Sequence, residues 1–122
     1  MIDVVLCARR RDDMSVEEFH RYWRDEHAPL VASHAETLGM LSYVLHLTLN
    51  TGLESIVQED RGCPADVYDG VAVLCFESLD EMAAKGAEPA ALAAAEELAA
   101  DERRFIDHAQ SRIWFTEHHT II

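Results

Sequence analysis

The chain of 122 residues carries 23 acidic and 10 basic side chains, and its formal charge at pH 7 is −13. Nucleic acids and anionic membranes bind positively charged protein surfaces, so this charge argues against both as partners. Hydrophobic residues make up 49% of the sequence and charged residues 27%, which is typical of a globular protein, here one domain over residues 1–122.

The predicted elements follow the order β-α-β-β-α-β. Four short apolar runs predict strands over residues 1–8, 40–49, 68–76 and 111–122. In the second run the side chains alternate, with Tyr43 on one face and His46 on the other. Residues 50–67 contain two glycines, a proline and several charges, and they predict a long loop of the kind that often covers a binding site.

Two helical regions lie between these strands. Ser15 and Glu18 form a capping-box pattern that begins a first helix over residues 15–34. Pro29 falls inside this helix and is expected to kink or break it near Ala28. The second region begins at a similar pattern, Ser78 with Glu81, and continues as an alanine-rich helix from residue 90 to residue 106. Its predicted buried face comprises Leu92, Ala95, Leu98 and Ala99.

The buried stripe of the first helix is interrupted by histidines. At about 100° per residue, one face carries Val16, Phe19, His20, Trp23, His27, Leu30, Val31 and His34. A buried imidazole needs hydrogen-bond partners, and it can exchange a proton near neutral pH. Each inward histidine is therefore either a structural residue or an acid/base group.

The element order predicts an α+β, ferredoxin-like fold, in which helices cover one face of a four-stranded antiparallel sheet. The strands are apolar on both faces, so the second face also needs a cover. A second copy of the chain would supply it, which predicts a homodimer through the sheet face. No apolar run approaches the length of a membrane span, and three cysteines without a paired spacing favour the reducing cytoplasm.

The sequence predicts no metal site and no bound cofactor. The three histidines of the first helix follow one another at intervals of seven residues, which places them about 10 Å apart and too far for one ion. A site that combines His27 with His46 or a carboxylate stays open. Glycine-rich phosphate loops and dinucleotide fingerprints are absent, so neither nucleotide nor flavin is expected.

A pocket for a small molecule between the first helix and the sheet is the remaining candidate site. The predicted substrate contacts are Phe19, Tyr22, Trp23 and Tyr43. His27, next to the expected helix break, is the first candidate for a general acid or base, followed by His46 and His20. The alternative is that the aromatic residues only pack in the core and the imidazoles only make structural hydrogen bonds.

Residues 19–29 read Phe-His-Arg-Tyr-Trp-Arg-Asp-Glu-His-Ala-Pro, which resembles the F-x-x-Y-W-x-x-x-H-x-P helix of EthD-domain proteins. The likeness continues at residues 43–46, 68–70 and 102–117. It implies a dimeric α+β barrel, in which the sheets of two subunits face each other and each subunit keeps a pocket between sheet and helices. This superfamily includes cofactor-free cyclases, decarboxylases, isomerases and monooxygenases, and more distantly haem enzymes.

These observations favour a cytoplasmic enzyme that acts on a small apolar or aromatic substrate by cofactor-free acid/base chemistry, as a lyase, cyclase or isomerase. His27 would be the general acid/base, and His46 or His20 would orient groups or stabilise charge. One alternative is an oxidoreductase, either a monooxygenase or a haem-binding protein. Another is a non-catalytic binding or accessory protein of an oxidative degradation or biosynthetic pathway. Fold analogy does not choose among these functions.

Overall fold

The computed structural model describes residues 1–122 and contains one four-stranded antiparallel sheet with helices. The strands are β1 (Ile2–Ala8), β2 (Ser42–Leu47), β3 (Gly70–Phe76) and β4 (Arg112–Glu117). The helices are α1 (Val16–Tyr22), α2 (Ala28–Ser33), α3 (Ala35–Leu38), α4 (Glu54–Arg61), α5 (Leu79–Gly86) and α6 (Pro89–Glu102). The strand order β2-β3-β1-β4 confirms the predicted ferredoxin-like α+β fold. None of the helices has the length and apolar character needed to cross a membrane.

The register of the sheet separates its side chains into two faces. Tyr43 pairs with Leu74, and this row points toward the helices, where a cavity lies. The next row along β2 and β3, Val44 with Val73, points to the opposite face. Val44 and Trp114 on that second face are 47% and 46% exposed, so one side of the sheet presents apolar side chains to its surroundings.

The first helix begins as predicted, but Pro29 does not end it. The Ser15 hydroxyl accepts a hydrogen bond of 3.1 Å from the Glu18 amide. A π-helical turn over Trp23–His27 follows α1, and the Ala28 amide donates to the Trp23 carbonyl across it. Because proline lacks an amide proton and crowds the carbonyl four residues before it, the wider turn makes room for the ring. The chain then stays helical through α2.

The predicted loop over residues 50–67 is wrong, because it contains helix α4. The Thr51 hydroxyl accepts a hydrogen bond of 3.0 Å from the Leu53 amide before the helix, and Gly62 ends it with a left-handed φ of 69°. Leu53 and Ile56 are both exposed. The helix therefore packs little apolar surface on its own chain, so the pattern of buried positions that identifies most helices is missing.

The alanine-rich helix differs from its prediction in length and in the face that it buries. Helix α6 ends at Glu102 rather than at residue 106. It buries Ala91, Ala94 and Leu98, whereas Leu92 is 58% exposed. Alanine occupies every face of this helix, so the sequence carries little information on its rotation.

Aromatic side chains fill the main core between the helices and the sheet. Phe19 and Trp23 from the first helix and Phe105, just after α6, are each 0% exposed. The Phe105 ring lies 5.6 Å from the rings of both Phe19 and Trp23, measured between centroids. Val16, predicted to share the buried stripe, is instead exposed at the start of α1. The core thus fixes the orientation of the first helix over the sheet.

Gly70 lies where strand β3 passes beneath the Trp23 ring, and a side chain should not fit there. A Cβ atom at Gly70 would lie 2.8 Å from the Trp23 ring and 3.2 Å from the His46 carbonyl. We expect Gly70→Ala to lower the free energy of unfolding by about 1–3 kcal/mol, measured by urea denaturation. Gly86→Ala is the matched control, since no atom lies within 4 Å of that Cβ. Equal stability of the two variants would contradict the close packing at Gly70.

Candidate functional site

A small cavity lies between the first helix and the sheet, in the position that the sequence predicted. Its volume is about 80 Å³. Its lining residues are Val4, Leu6, Trp23, His27, Val31, Tyr43, Ala72, Leu74, Leu98, Glu102 and Ile113. Ile113 on β4 is 67% exposed, so little protein separates the cavity from solvent at this edge of the sheet. Larger grooves of about 560 Å³ lie on the surface, but they are shallow and rich in charged side chains.

His27 is the imidazole that lines this cavity, and it is held by a carboxylate. The π-helical turn ends at His27 and directs it inward, where its side chain is only 4% exposed. His27 Nδ1 lies 2.7 Å from Asp101 Oδ2, and the ring packs against Phe105 at a centroid distance of 5.0 Å. Nδ1 is the only ring nitrogen with a protein partner. Nε2 has no protein partner, and His27 lines the cavity.

Asp101 also accepts a hydrogen bond from Tyr22, whose hydroxyl lies 2.7 Å from Oδ1. Burial of this carboxylate opposes its ionisation, but the hydrogen bonds from Tyr22 and His27 outweigh that cost and lower the pKa of Asp101. An ionised carboxylate can only accept hydrogen bonds, so Nδ1 of His27 carries a proton. When the ring is neutral, its lone pair is therefore on Nε2.

Tyr43 brings a hydrogen-bond donor to the same cavity. Its hydroxyl oxygen accepts a bond of 2.7 Å from the Trp23 indole N–H. No protein group accepts the Tyr43 hydroxyl proton, which leaves this proton for a ligand. Burial, together with the nearby Glu102 carboxylate, raises the pKa of Tyr43 to about 12. The phenol therefore stays protonated at neutral pH and can donate to an oxygen that gains negative charge.

Sequence reasoning missed two acidic residues of the site, Asp101 and Glu102, at the end of α6. Glu102 lines the cavity, and its Oε1 lies 3.1 Å from His108 Nε2. Carboxylates are unfavourable at a helix C-terminus, where the helix dipole favours positive charge. Two adjacent acids in the last turn of an alanine-rich helix were therefore a signal that these positions have a specific partner.

The other predicted site residues lie away from the cavity. Phe19 is fully buried in the aromatic core, and Tyr22 reaches the site only through Asp101. His20 Nε2 lies 2.9 Å from the Asp69 carbonyl and makes a structural hydrogen bond. His46 is exposed on the uncovered face of the sheet. The prediction that His46 shares a pocket with His27 is therefore wrong, because the sheet separates them, and the same separation rules out the metal site between them that the sequence left open.

Comparisons with known structures agree with this fold. A dimeric protein of unknown function and ferredoxin-like fold from Bacteroides fragilis has a TM-score of 0.59 and 14% identity, over 96% of this chain and 95% of that one. The hydroxynitrile lyase from Passiflora edulis has a TM-score of 0.60 and 13% identity, over 99% and 96%. The cofactor-independent oxygenase SnoaB from Streptomyces nogalater has a TM-score of 0.54 and 16% identity, over 98% and 95%.

Similarities at this level of identity establish the fold and leave the reaction open. A comparison with curated protein sequences found no match. Residues 11–109 match the EthD domain, a segment that includes the first helix, the π-helical turn and both acidic residues at the end of α6. The chain therefore belongs to the EthD-domain family.

Proposed function

We propose that this protein is an enzyme that acts on a small apolar or aromatic substrate by cofactor-free acid/base chemistry, as a lyase, cyclase or isomerase. The observation that carries the proposal is the hydrogen bond of 2.7 Å between His27 Nδ1 and Asp101, which leaves Nε2 of a buried, cavity-lining imidazole without a protein partner. A histidine whose second nitrogen is held by a carboxylate is a common form of general base.

In the proposed reaction, Nε2 of His27 takes a proton from a C–H or O–H group of the substrate. The electron pair stays on the substrate, and the Asp101 carboxylate stabilises the imidazolium that forms. Tyr43 donates its hydroxyl proton in a hydrogen bond to the substrate oxygen that gains charge. The imidazolium then returns its proton to a different atom of the substrate or to the leaving group. Return of the proton to a different substrate atom gives isomerisation, and its return to the leaving group gives cleavage.

The walls and the volume of the cavity narrow the substrate class. Nine of the eleven lining residues are hydrophobic, which favours an uncharged ligand. A volume of about 80 Å³ holds only a few non-hydrogen atoms, since an apolar cavity that binds benzene measures about 150 Å³. An aromatic substrate therefore requires Ile113, at the exposed edge of the sheet, to move outward.

The proposal is tested by proton exchange in D₂O. The purified protein is incubated with small enolisable ketones and with α-hydroxynitriles, and NMR follows both deuterium incorporation and release of the carbonyl product. The α-hydroxynitriles are included because the hydroxynitrile lyase shares this fold. We expect catalysed exchange or cleavage for at least one uncharged compound that fits the cavity. Tight binding of such compounds without exchange or cleavage would instead favour a non-catalytic binding protein.

Cofactor-free oxygenation is the second candidate, favoured by the similarity to the cofactor-independent oxygenase from Streptomyces nogalater. It would use the same base, because removing a proton from an electron-rich phenol gives an anion that can reduce dioxygen. Oxygen consumption with small quinols, measured with an oxygen electrode, separates it from the first proposal. Consumption that requires His27 would favour the oxygenase, and proton exchange without consumption would favour the lyase or isomerase.

We further propose that the protein is a homodimer through the uncovered face of the sheet. Val44 and Trp114 lie about half exposed on this face, and a structurally similar protein is described as dimeric. A stable interface buries about 1,600 Å² in total, and its centre is more apolar than its rim. Sedimentation equilibrium of the wild type and of Val44→Glu tests this. We expect a dimer that the glutamate dissociates, whereas a monomeric wild type would contradict the proposal.

A further inference from the structure

A second cluster of chemically reactive side chains lies apart from the cavity. Asp3 on β1 and Cys75 on β3 are direct partners across the sheet. His118, just after β4, is brought beside them because its amide donates to the Met1 carbonyl at 3.1 Å. One ligand atom from each of Asp3, Cys75 and His118 lies within 4.8 Å of the other two. Three strands thus converge on one point with a carboxylate, a thiol and an imidazole.

Two members of the cluster, Asp3 and Cys75, are buried, and one polar atom of Asp3 lacks a partner. Asp3 is 8% exposed and Cys75 is 5% exposed. Asp3 Oδ2 lies 2.9 Å from His118 Nδ1, but Asp3 Oδ1 is buried without any hydrogen bond. A buried carboxylate oxygen without a partner is costly and uncommon in folded proteins. Oδ1 thus has no partner within hydrogen-bond distance, although the Cys75 thiol lies close enough to interact with the carboxylate, and a cation would satisfy this oxygen.

We propose that Asp3, Cys75 and His118 bind a zinc ion. Zinc accepts sulfur, nitrogen and oxygen ligands together in tetrahedral sites, whereas magnesium and calcium take oxygen ligands. Zinc bond lengths of about 2.0–2.3 Å place neighbouring ligand atoms roughly 3.3–3.7 Å apart. The separation of 2.9 Å between the Asp3 and His118 atoms is already near this range. The remaining separations are at most 4.8 Å, so side-chain rotations that move these atoms closer by about 1 Å would complete the site.

Groups around the cluster suit a metal site. His118 Nε2 lies 3.0 Å from the Thr120 hydroxyl, so the nitrogen that faces away from the metal has a partner that orients the ring. Because zinc binds the thiolate, the Cys75 thiol proton passes to solvent as the Zn–S bond forms. With three protein ligands, a water molecule completes the four-coordinate site.

The test uses zinc itself on the full-length protein after treatment with a chelator. Competition with a chromophoric chelator measures stoichiometry and affinity, and Co²⁺ in place of zinc reports a thiolate ligand through its charge-transfer absorption. We expect one zinc ion per chain. Cys75→Ser and His118→Gln should each weaken binding by at least about tenfold and, in the case of Cys75→Ser, remove the charge-transfer band.

Two variants serve as matched controls, because the chain offers a cysteine and a histidine outside the cluster. Cys63→Ser and His119→Gln replace exposed residues, and both should bind zinc like the wild type. Circular dichroism checks that each variant is folded. His118 is partly exposed, so H118Q carries the test if C75S does not fold. Absence of stoichiometric binding, or binding lost in H119Q but kept in H118Q, would overturn the proposal.

Discussion

Replacing His27 with glutamine should lower the catalysed proton-exchange rate by about 10²–10⁴-fold while the protein stays folded. The glutamine amide can still donate to Asp101 Oδ2, which His27 Nδ1 meets at 2.7 Å in the wild type, so the carboxylate keeps a partner. It has no basic nitrogen to accept a proton from a substrate. The measurement is the initial rate of deuterium incorporation or of product release, by NMR, on any compound that the wild type turns over.

His34→Gln is the matched control for this variant. His34 follows on the same helical stripe, but its Nε2 pairs with Glu97 at 3.0 Å on the surface and does not line the cavity. We expect its exchange rate to equal that of the wild type. If H27Q retained full activity, the base would be another group. If H27Q lost activity and unfolded together, His27 would be a core residue and the proposed chemistry would lose its support.

Replacing Phe105 with alanine should lower the free energy of unfolding by about 3–5 kcal/mol. Phe105 is fully buried, and its ring contacts those of Phe19, Tyr22, Trp23 and His27, at centroid distances from 5.0 to 5.6 Å. Its removal leaves a cavity that rigid neighbours on a helix and a sheet can only partly fill. Urea denaturation followed by tryptophan fluorescence measures the loss.

Leu92→Ala is the control, since Leu92 is 58% exposed on α6 and should cost no more than about 0.5 kcal/mol. A second measurement, of catalytic activity, tests whether the packing of the core positions the site. Because Phe105 packs against the His27 ring, F105A should also reduce the proton-exchange rate under conditions where it remains folded. A loss of less than about 1 kcal/mol in F105A would show that the aromatic cluster is not a well-packed core.

The fold could be predicted from sequence wherever one face of a helix or strand is buried and the other is exposed to solvent. Ser15 and Glu18 identified the start of the first helix, and the alternation around Tyr43 identified a strand with one face toward the helices. The prediction was wrong where that contrast is absent. Helix α4 exposes Ile56, so its sequence predicts a loop, and α6 carries alanine on every side, so its sequence does not determine which face is buried.

The candidate site was predicted in part. The position of His27 on the buried stripe identified the imidazole beside the cavity, and Trp23 and Tyr43 do line it. Asp101 was missed, because its contact with His27 joins residues 74 positions apart, and only the tertiary fold brings them together. His46 does not share the cavity with Tyr43, because the strand alternation that directs Tyr43 toward the helices directs His46 to the opposite face.

The π-helical turn shows how a local irregularity positions the site. The sequence predicts that Pro29 kinks or breaks the helix. Instead, the π-helical turn before it accommodates the proline, which has no amide proton to donate. This turn carries both Trp23 and His27, and both line the cavity. A regular helix would rotate these two side chains relative to each other. The proline and the wide turn therefore determine which atoms the helix presents to the cavity.

The tautomer of His27 can be measured without knowing the substrate. Long-range ¹H–¹⁵N correlation spectra of the labelled protein distinguish a protonated from an unprotonated ring nitrogen, and H27Q assigns the signals. At a pH where the ring is neutral, we predict a proton on Nδ1, held by Asp101, and a free lone pair on Nε2. In Asp101→Asn this preference should weaken or reverse. A wild-type ring with its proton on Nε2 would contradict the proposal that His27 presents a base to the cavity.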